Sequence, residues 1–325
     1  MNKTLKDILN LLNTKDIISG DELGRHLNIT RAAIWKAIRQ LNEQYHCQIE
    51  SIKGKGYKLT HHFCFLNENE ILEGIDRSTI VLSLFDTLNS TNDYLNKQKN
   101  NDGKYQLCIS EHQSAGKGRF DRRWHSPFGQ NIYLSLKSTL FSDVSELSGL
   151  SLATAAVIAD GLKTIYPTLD IGIKWPNDIY LNHKKLSGNL TEIKATSNLQ
   201  TEIIIGIGIN VNTMEDARNT ISQPWISLAQ ALGHQEDRNI IINLLLKRLI
   251  QMLEIIEKQG CSTFLSLYRH FDFLKNKKIT LHLPNGNTVT GIAIGTNERG
   301  LIGLKTDNGI DYFSSGEASI DKSFI

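Results

Sequence analysis

Apolar side chains in the first 60 residues recur at the spacing of amphipathic helices and predict three short helices. A Ser-x-x-Glu pattern at Ser19 and Glu22 marks the start of the second helix, and Thr30 can cap the third. A turn at Asn28-Ile29 separates these two helices. The apolar positions are Leu5, Ile8, Leu9 and Leu12 in the first helix, Leu23 and Leu27 in the second, and Ala33, Ile34, Ala37 and Leu41 in the third.

Two short strands follow, over residues 48–52 and 57–59, joined by a basic turn that contains glycine. A helix–turn–helix with such a wing can read DNA, because its last helix enters the major groove while the wing contacts phosphates. The alternative is a small helical domain whose basic face is only solvated. The expected DNA-binding residues are Arg31, Lys36 and Arg39 on the third helix and Lys53 and Lys55 on the wing.

Beyond residue 78 the pattern mixes strands, at 79–85, 106–110, 131–137, 171–175 and 202–210, with long helices at 147–165 and 240–258. A sheet with helices packed against it, and thus the α+β class, fits this order. In the last 50 residues, four short strands at 278–283, 288–294, 301–305 and 310–313 alternate with turns and predict a small antiparallel β-barrel. We expect three domains: 1–62, 63–272 and 273–325.

Charge is distributed unevenly along the chain. Residues 1–62 hold ten lysines and arginines against six acidic residues, a net charge of +4, and the remainder carries −2. A basic head on a nearly neutral body indicates a polyanionic partner for the head.

The apolar runs and the cysteine positions indicate where the protein is located and whether it contains disulfides or a zinc site. No apolar run approaches the roughly 20 residues that cross a bilayer, and the N-terminus lacks the apolar stretch of a signal peptide. We therefore expect a cytoplasmic protein without a membrane partner. Cys47, Cys64, Cys108 and Cys261 lie far apart without a C-x-x-C motif, which favours reduced thiols over disulfides or a zinc site.

The segment 111–131, EHQSAGKGRFDRRWHSPFGQN, concentrates candidate chemistry. Lys117, Arg119, Arg122 and Arg123 lie beside Gly116 and Gly118. Glycines let backbone N–H groups approach an oxyanion and the cations supply charge, although the order is not that of a Walker A loop. A solvated basic loop is the alternative.

Further polar positions follow predicted strands. Lys174 ends one strand within K-W-P-N-D, and Lys185 follows a turn within K-K-L-S-G, so both lysines could converge on one anion. The alternative is one ordinary lysine at a strand end and one lysine in a hairpin. Two glycines in G-I-G-I-N suggest a close approach to the backbone, after which Asn210 could bind a phosphate oxygen or a metal-bound water. The triplet Ser90-Thr91-Asn92 could also be only a helix cap.

These segments, in this order, resemble biotin protein ligases of the bifunctional bacterial type that also repress the biotin operon. The resemblance spans nearly the whole chain, and its most specific part is the pair Q-S-A-G-K-G-R and K-W-P-N-D. It implies a class II synthetase-like catalytic fold in the centre and an SH3-like barrel at the end. The chain departs from the family pattern at Lys117, where an arginine is common, and at Asp321, where the repressor type has an arginine near the adenine.

The resemblance also implies roles for the matching positions. Lys185, Arg119 and Lys174 would be catalytic, with Lys185 reaching both the biotin carboxylate and its phosphate. The biotin side would be formed by Ser90, Thr91, Asn92, Gln113, Lys117, Gly118, Arg119 and Lys185. The nucleotide would be bound by Lys174, Asn210 and Trp225.

The implied reaction is activation of biotin by ATP and Mg²⁺ to biotinyl-5′-AMP, followed by transfer to a lysine of the biotin carboxyl carrier protein of acetyl-CoA carboxylase. The basic loop would close over the ligand. Operator DNA would be the second partner, bound by a homodimer that forms on ligand binding. Two alternatives stay open: a lipoate-type protein ligase, and a biotin-sensing transcription factor without enzymatic activity.

Overall fold

The head, residues 1–60, is a winged helix–turn–helix. The computed structural model describes residues 1–45, 47–60, 63–99, 104–195, 200–215, 221 and 223–320. Ser19 Oγ accepts a hydrogen bond from the backbone N–H of Glu22 at 3.1 Å, and Asn28 ends the second helix in the left-handed conformation. These contacts confirm the predicted head. Its elements are α1 (Lys3–Thr14), α2 (Gly20–Leu27), α3 (Arg31–Tyr45) and the antiparallel strands β1 (Ile49–Ile52) and β2 (Gly56–Leu59).

The central domain is a seven-stranded mixed sheet covered by helices on both faces. Its strands are β3 (Ile80–Phe85), β4 (Tyr105–Ser110), β5 (Ile132–Phe141), β6 (Ile171–Lys174), β7 (Asp178–Leu181), β8 (Lys184–Ala195) and β9 (Gln200–Ile209). Its helices are α4 (Glu68–Ile71), α5 (Thr91–Lys97), α6 (Leu150–Ile165), α7 (Leu228–Leu232), α8 (Arg238–Gln259) and α9 (Leu265–His270). The strand order is β3-β4-β5-β9-β8-β7-β6, in which only β3 and β4 pair in parallel.

Alternating side chains assign the helices to the two faces of this sheet. Leu107 and Ile109 of β4 belong to the main core together with α6 and α8. Cys108 points to the opposite face and clusters with Leu95 of α5 and Ile204 of β9. The segment Ser90-Thr91-Asn92, at the start of α5, therefore lies on the face opposite the long helices.

Several short elements of the central domain, among them α7, α9 and β7, were not predicted from the sequence. The turn after Lys174 occupies residues 175–177, and Asp178 already begins β7, a four-residue strand that pattern alone did not reveal. So short a strand between two turns leaves too few positions for a period of two to be visible. The strand predicted to follow Lys185 is β8, and Lys185 itself belongs to it.

The C-terminal domain is a five-stranded antiparallel sheet. It consists of β10 (Lys278–His282), β11 (Thr288–Thr296), β12 (Ile302–Thr306), β13 (Gly309–Phe313) and β14 (Glu317–Ile320), in the order β13-β12-β11-β10-β14. The sequence predicted the first four strands, and the G-E-A-S-I segment forms the fifth. Residues of this sheet, among them Ile279 and Leu304, share one core cluster with the central domain, so the small domain is docked on the central domain.

The head packs directly on the central domain. Phe128, from the segment 111–131, is fully buried in the core cluster of the head, and its ring meets that of Tyr45 edge-on with centroids 5.4 Å apart. The side-chain amide of Asn13 exchanges two hydrogen bonds with the backbone of Phe63, at 2.7 and 2.9 Å. The core of the head therefore continues past residue 62. The limits at residues 62 and 272 stay predictions, and residues 61 and 62 lie outside the described residues.

A buried arginine fixes both ends of the segment 111–131. Arg238, at the start of α8, has a side-chain exposure of 0% and lies 2.7 Å from Glu111 Oε2. The same guanidinium donates to the backbone carbonyls of Asn131 and Cys64, at 3.1 and 2.5 Å. Because a buried charge is costly without partners, this network defines where the segment begins and ends. In the part of the chain that the structure describes, no helix has the length and apolar character to cross a membrane.

Candidate active site

A cavity of about 850 Å³ opens on the α5 face of the central sheet. Its volume is in the range of sites that bury a small organic ligand. Every residue that the sequence assigned to biotin or nucleotide lines it, so the structure brings the whole predicted set together. Those residues are Ser90, Thr91, Asn92, Gln113, Lys117, Gly118, Arg119, Lys174, Lys185, Asn210 and Trp225.

The Ser90-Thr91-Asn92 triplet is both a helix cap and a cavity wall. Ser90 Oγ accepts from the backbone N–H of Asp93 at 3.4 Å and caps α5. Thr91 donates to Gln113 Oε1 through its backbone N–H and its hydroxyl, at 2.9 and 3.2 Å. Asn92 accepts from the Ser135 hydroxyl at 2.5 Å and donates to Glu192 at 2.7 Å. These bonds fix the polar groups in one arrangement.

The two glycines of G-I-G-I-N make room for protein side chains. A Cβ atom at Gly206 would lie 2.2 Å from Asn92 Oδ1, and one at Gly208 would lie 2.4 Å from the ring of Trp124. The structure therefore confirms that other groups approach the backbone of this strand closely. At these two glycines, the groups are the side chains of Asn92 and Trp124. Asn210, which follows the strand, directs its amide N–H₂ toward the carbonyl of Ile226 at 3.3 Å.

The cations of the basic loop have separate partners instead of forming one cluster. Lys117 pairs with Asp93 at 2.6 Å, and Arg123 donates to the carbonyl of Ser114 at 2.6 Å. Arg122 makes a bidentate ion pair with Glu317 of β14, at 2.6 and 2.5 Å. The four cations of segment 111–131 therefore do not form a single anion-binding site.

Arg119 connects this loop to two other segments of the chain. Its guanidinium donates to Asn177 Oδ1 at 3.0 Å and to the carbonyl of Gly316 at 3.1 Å. Burial lowers the pKa of this guanidinium, while Asp178 and Glu317 oppose the shift. Together with the Arg122–Glu317 pair, these bonds fasten the loop to the last strand of the C-terminal domain.

Lys174 and Lys185 converge on the same cavity, as predicted. Lys185 Nζ lies 2.8 Å from Asp178 Oδ2 and 5.5 Å from the centre of the Trp124 ring. Lys174 Nζ donates to the hydroxyl of Tyr180 at 3.2 Å. Burial lowers the pKa of Lys174, with Asp178 as the strongest opposing influence. Two ammonium groups beside one carboxylate make this end of the cavity suited to an anionic ligand.

Trp225 is held beside Lys185 by the backbone. The backbone N–H of Lys185 donates to the carbonyl of Pro224 at 3.1 Å, and its carbonyl accepts from Ile226 at 3.0 Å. The segment 224–226 thereby runs parallel to the start of β8 and presents Trp225 to the cavity. An indole ring at this place can stack on a planar base.

Three residues that shape this site were not among the predicted site residues. Trp124 lines the cavity, and its buried indole N–H has no hydrogen-bond partner among the described residues. Asp178 and Glu317 supply the carboxylates that neutralise Lys185 and Arg122. The signal was present, because all three stand inside the quoted segments 111–131, K-W-P-N-D and G-E-A-S-I.

The described residues hold no group of three His, Cys, Asp or Glu side chains that could bind a metal ion by itself. The two carboxylates at the cavity are engaged in ion pairs with Lys185 and Arg122. The donor set does not fit a metal site made by the protein alone.

The predicted DNA-binding residues are all exposed on the head. Arg31, Lys36 and Arg39 project from α3 into solvent, as do Lys53 and Lys55 beside the tip of the wing. Arg31 lies 3.6 Å from Asp21, and Arg39 pairs with Glu43 at 2.7 Å. Between the two arginines, Trp35 is 54% exposed, and Arg39 lies 5.8 Å from the centre of its ring. Sequence analysis did not single out this tryptophan. Asp321 lies outside the described residues.

Comparison with known proteins gives matches along nearly the entire chain. Residues 84–210 match the Biotin/lipoate A/B protein ligase family, residues 4–58 an HTH domain, and residues 276–321 the Biotin protein ligase C terminal domain. The bifunctional ligase/repressor BirA of Escherichia coli (strain K12) is 33% identical over 313 residues, which cover 96% of each chain. The protein of the same description from Bacillus subtilis (strain 168) is 30% identical over 98% of this chain and 100% of its own.

Among solved structures, the biotin protein ligase from Aquifex aeolicus in complex with biotin and ATP is similar, with a TM-score of 0.63 and 27% identity. The match covers 74% of this chain and 98% of that one. The matches to the two ligase/repressors cover 96% and 98% of this chain and therefore include the winged helix of the head. The chain therefore belongs to the biotin protein ligase family, in its bifunctional ligase/repressor branch.

Proposed function

We propose that this chain activates biotin with ATP, transfers it to a lysine of a biotin carboxyl carrier protein, and represses transcription through its head. The observation that carries the enzymatic part is that one cavity, of about 850 Å³, is lined by every residue of the predicted ligand set. Its cationic end, at Lys174, Lys185 and Arg119, suits a carboxylate and a phosphate. The Ser90-Thr91-Asn92 network beside it offers fixed polar groups to the ring system of biotin.

Activation joins two anions, which repel each other in the absence of cations. A carboxylate oxygen of biotin attacks the α-phosphorus of ATP, the bond to the β-phosphate breaks, and pyrophosphate leaves with the electron pair. Lys185 binds the carboxylate and then the phosphate of the new mixed anhydride, whereas Lys174 and Arg119 bind phosphate oxygens. Trp225 and Asn210 contact the nucleotide.

Transfer needs an unprotonated lysine amine from the acceptor. Asp178 forms an ion pair with Lys185, whose Nζ lies 2.8 Å from Asp178 Oδ2. When the adenylate phosphate becomes the partner of Lys185, the carboxylate of Asp178 is available to orient the incoming amine and to take up its proton. The amine then attacks the acyl carbon, and AMP leaves. The loop fastened by Arg119 and Arg122 excludes water, which would otherwise hydrolyse the adenylate.

Mg²⁺ belongs to this proposal as a companion of ATP. Because the donor set does not fit a protein-made metal site, the ion would be bound mainly by phosphate oxygens, as is common for Mg²⁺ in nucleotide sites. The steps above do not depend on a protein ligand to the metal.

The head would bind operator DNA through α3 and the wing, as a homodimer that forms when the adenylate is bound. The exposed basic residues of α3 and the wing support DNA contact. A symmetric operator would match the two-fold symmetry of such a dimer. A cytoplasmic location follows from the proposed use of ATP and DNA.

The deciding experiment mixes the purified chain with ATP and biotin and measures pyrophosphate release. The expected result is release with biotin and far less with lipoate. Release with lipoate alone would indicate the lipoate-type alternative. A protein that binds biotin but releases no pyrophosphate with ATP would be a sensor, and the enzymatic proposal would fail.

A further inference from the structure

A chain of hydrogen bonds runs from the wall of the cavity to a carboxylate outside it. Glu192, on β8, accepts from the side-chain amide of Asn92 at 2.7 Å and from that of Asn96 at 2.6 Å. The two asparagines are four residues apart on α5 and therefore lie on the same face of this helix. The described residues that line the cavity include Asn92 but neither Asn96 nor Glu192. Glu192 therefore reaches a ligand in the cavity through Asn92 and not by direct contact.

The carboxylate fixes the orientation of the Asn92 amide. An ionised carboxylate only accepts hydrogen bonds, so the nitrogen of Asn92 must face Glu192. The carbonyl of Leu190, which lies 3.5 Å from the same nitrogen, favours the same orientation. The amide oxygen of Asn92 then faces the Ser135 hydroxyl at 2.5 Å and can only accept its hydrogen.

The direction set at Asn92 continues to Thr91 in the cavity wall. Ser135 has one hydroxyl hydrogen, which Asn92 takes, so the contact of 2.7 Å between the Ser135 and Thr91 oxygens has to use the hydrogen of Thr91. Gln113 Oε1, which lies 3.2 Å from the Thr91 oxygen, is the other acceptor for that hydrogen. Both acceptors belong to the protein, so the Thr91 hydroxyl offers a ligand only its lone pairs.

Burial makes this direction difficult to reverse. Ser135 is fully buried, and Thr91 and Asn92 are each 4% exposed. A hydrogen bond to an ionised acceptor is stronger than one between neutral groups, and a buried polar group without a partner is costly. Reversing the Asn92 amide would place its oxygen against the oxygen of Glu192. The chain of hydrogen bonds therefore has one favourable direction.

We propose that Glu192 is a positioning residue that sets the direction of hydrogen bonding on the biotin side of the cavity. It makes Thr91 an acceptor toward the ligand and so favours a ligand that presents an N–H group there over one that presents an oxygen. The inference rests on the proposed function, because biotin is the ligand assigned to this side of the cavity. The reacting carboxylate lies at the cationic end, so Glu192 affects ligand binding and not the chemical step.

The test compares three substitutions of Glu192 by calorimetric titration of biotin into the full chain. Glu192→Gln keeps an oxygen that accepts from Asn92 and should bind biotin nearly as tightly as the wild type. Glu192→Ala removes the acceptor and should raise Kd about tenfold, since a hydrogen bond to a charged group is lost. Glu192→Lys can only donate, so it should reverse the Asn92 amide and raise Kd further. Its positive charge would by itself attract the anionic ligand, so the loss can be assigned to hydrogen bonding.

Two controls separate this role from a purely structural one. Asn96→Ala removes the other partner of the carboxylate, and Lys194→Ala removes an exposed side chain of the same strand. Both variants should leave Kd for biotin unchanged. In steady-state assays of pyrophosphate release, Glu192→Lys should raise the KM for biotin, while kcat and the KM for ATP should change much less.

Equal Kd values for all three Glu192 variants, or a loss in Glu192→Gln as large as in Glu192→Lys, would overturn the inference. Biotin binding and pyrophosphate release by the wild type would in that case leave the proposed function intact. A loss in Asn96→Ala equal to that in Glu192→Ala would show that Glu192 only stabilises α5, which also overturns the inference. A wild-type chain that does not bind biotin would overturn the proposed function and this inference together.

Discussion

At the residue scale, two lysines of the cavity are paired with carboxylates of the protein. Lys185 faces Asp178 and Lys117 faces Asp93, at 2.8 and 2.6 Å. An anionic substrate that enters the cavity therefore exchanges one carboxylate partner for another instead of meeting an unpaired charge. Such an exchange lowers the cost of burying the substrate, because the lysines are already partly desolvated.

Lys185→Ala should lower the rate of adenylate formation by roughly a hundredfold or more, the effect of losing one donor to a developing charge. The side chain is 14% exposed and its ion pair is with Asp178, so the fold should survive. The rate of pyrophosphate release measures the effect. Its neighbour Lys184, which is exposed, provides the control Lys184→Ala, which should behave like the wild type. Equal rates in the two variants would remove Lys185 from the mechanism.

The buried position of Lys174 leads us to expect that kcat/KM depends on pH. Burial lowers the pKa of this ammonium below its usual value of 10.5. As the pH rises through the lowered pKa, the lysine loses its charge, so kcat/KM should fall at a pH below the range in which an ordinary lysine titrates. Lys174→Arg keeps the charge and should move the fall to higher pH. A profile that is the same for both proteins would assign the alkaline fall to another group.

It was easier to predict which residues line the cavity than to predict which residues they form ion pairs and hydrogen bonds with. The sequence motifs supplied all the cavity-lining residues of the predicted ligand set, because each motif is local. The carboxylate partners were not predicted, since an ion pair such as Arg122 with Glu317 joins positions 195 residues apart. Likewise, nothing local shows that Gly206 makes room for Asn92. Contacts of this kind depend on the register between strands, which the sequence pattern leaves open.

At the element scale, the loop between β4 and β5 connects the parts of the site. Arg238 holds both of its ends, and Arg119 and Arg122 attach its middle to the C-terminal domain. The sequence predicted a basic glycine-containing lid over a site on mixed sheet and helices. It did not predict the attachment to β14, because β14 was not recognised as a strand.

Arg119→Gly should make the loop release adenylate before transfer. The substitution removes the bonds to Asn177 and to the carbonyl of Gly316, so the loop should open more often. Free adenylate would then label lysines of unrelated proteins. Mass spectrometry of a mixture of bystander proteins measures this labelling. Arg77→Gly, on an exposed arginine far along the chain from the loop, is the control. Labelling confined to the carrier protein in Arg119→Gly would contradict the lid role.

At the scale of the whole molecule, one head contacts few phosphates, so a single copy should bind duplex DNA weakly and lose affinity steeply with salt. Biotin plus ATP should raise the affinity by favouring a dimer. By linkage, the dimer must then bind the adenylate more tightly than the monomer does. Fluorescence anisotropy of a duplex carrying the operator, with and without ligands, measures the coupling, and equal affinities would refute it.

Trp35→Ala should weaken operator binding more than it weakens binding to unrelated DNA. The indole is 54% exposed between the basic residues of α3, where it can contact apolar base edges in the major groove. Lys36→Ala, which removes one phosphate contact, is the comparison and should weaken both kinds of binding about equally. Equal losses in the two variants would leave Trp35 without a part in sequence recognition.

Phe128→Ala should destabilise the chain by roughly 3–5 kcal/mol, the usual cost of removing a buried aromatic ring. The ring is fully buried in the core of the head. Chemical denaturation followed by circular dichroism gives the free energy of unfolding. Phe141→Ala, on a phenylalanine that is 68% exposed, should have little effect. Similar stabilities for both variants would show that the head does not depend on Phe128.

The position of Phe128 also decides how separable the two activities of the chain are. A DNA-binding head can be exchanged between proteins as a cassette only if its core is complete within the exchanged segment. Here the core is completed by a side chain from the loop that lines the ligand cavity. If another head were grafted onto this chain, that head would need a surface that packs against Phe128 and Phe63. Because Phe128 completes the core of the head, the DNA-binding head and the catalytic domain depend on each other for stability.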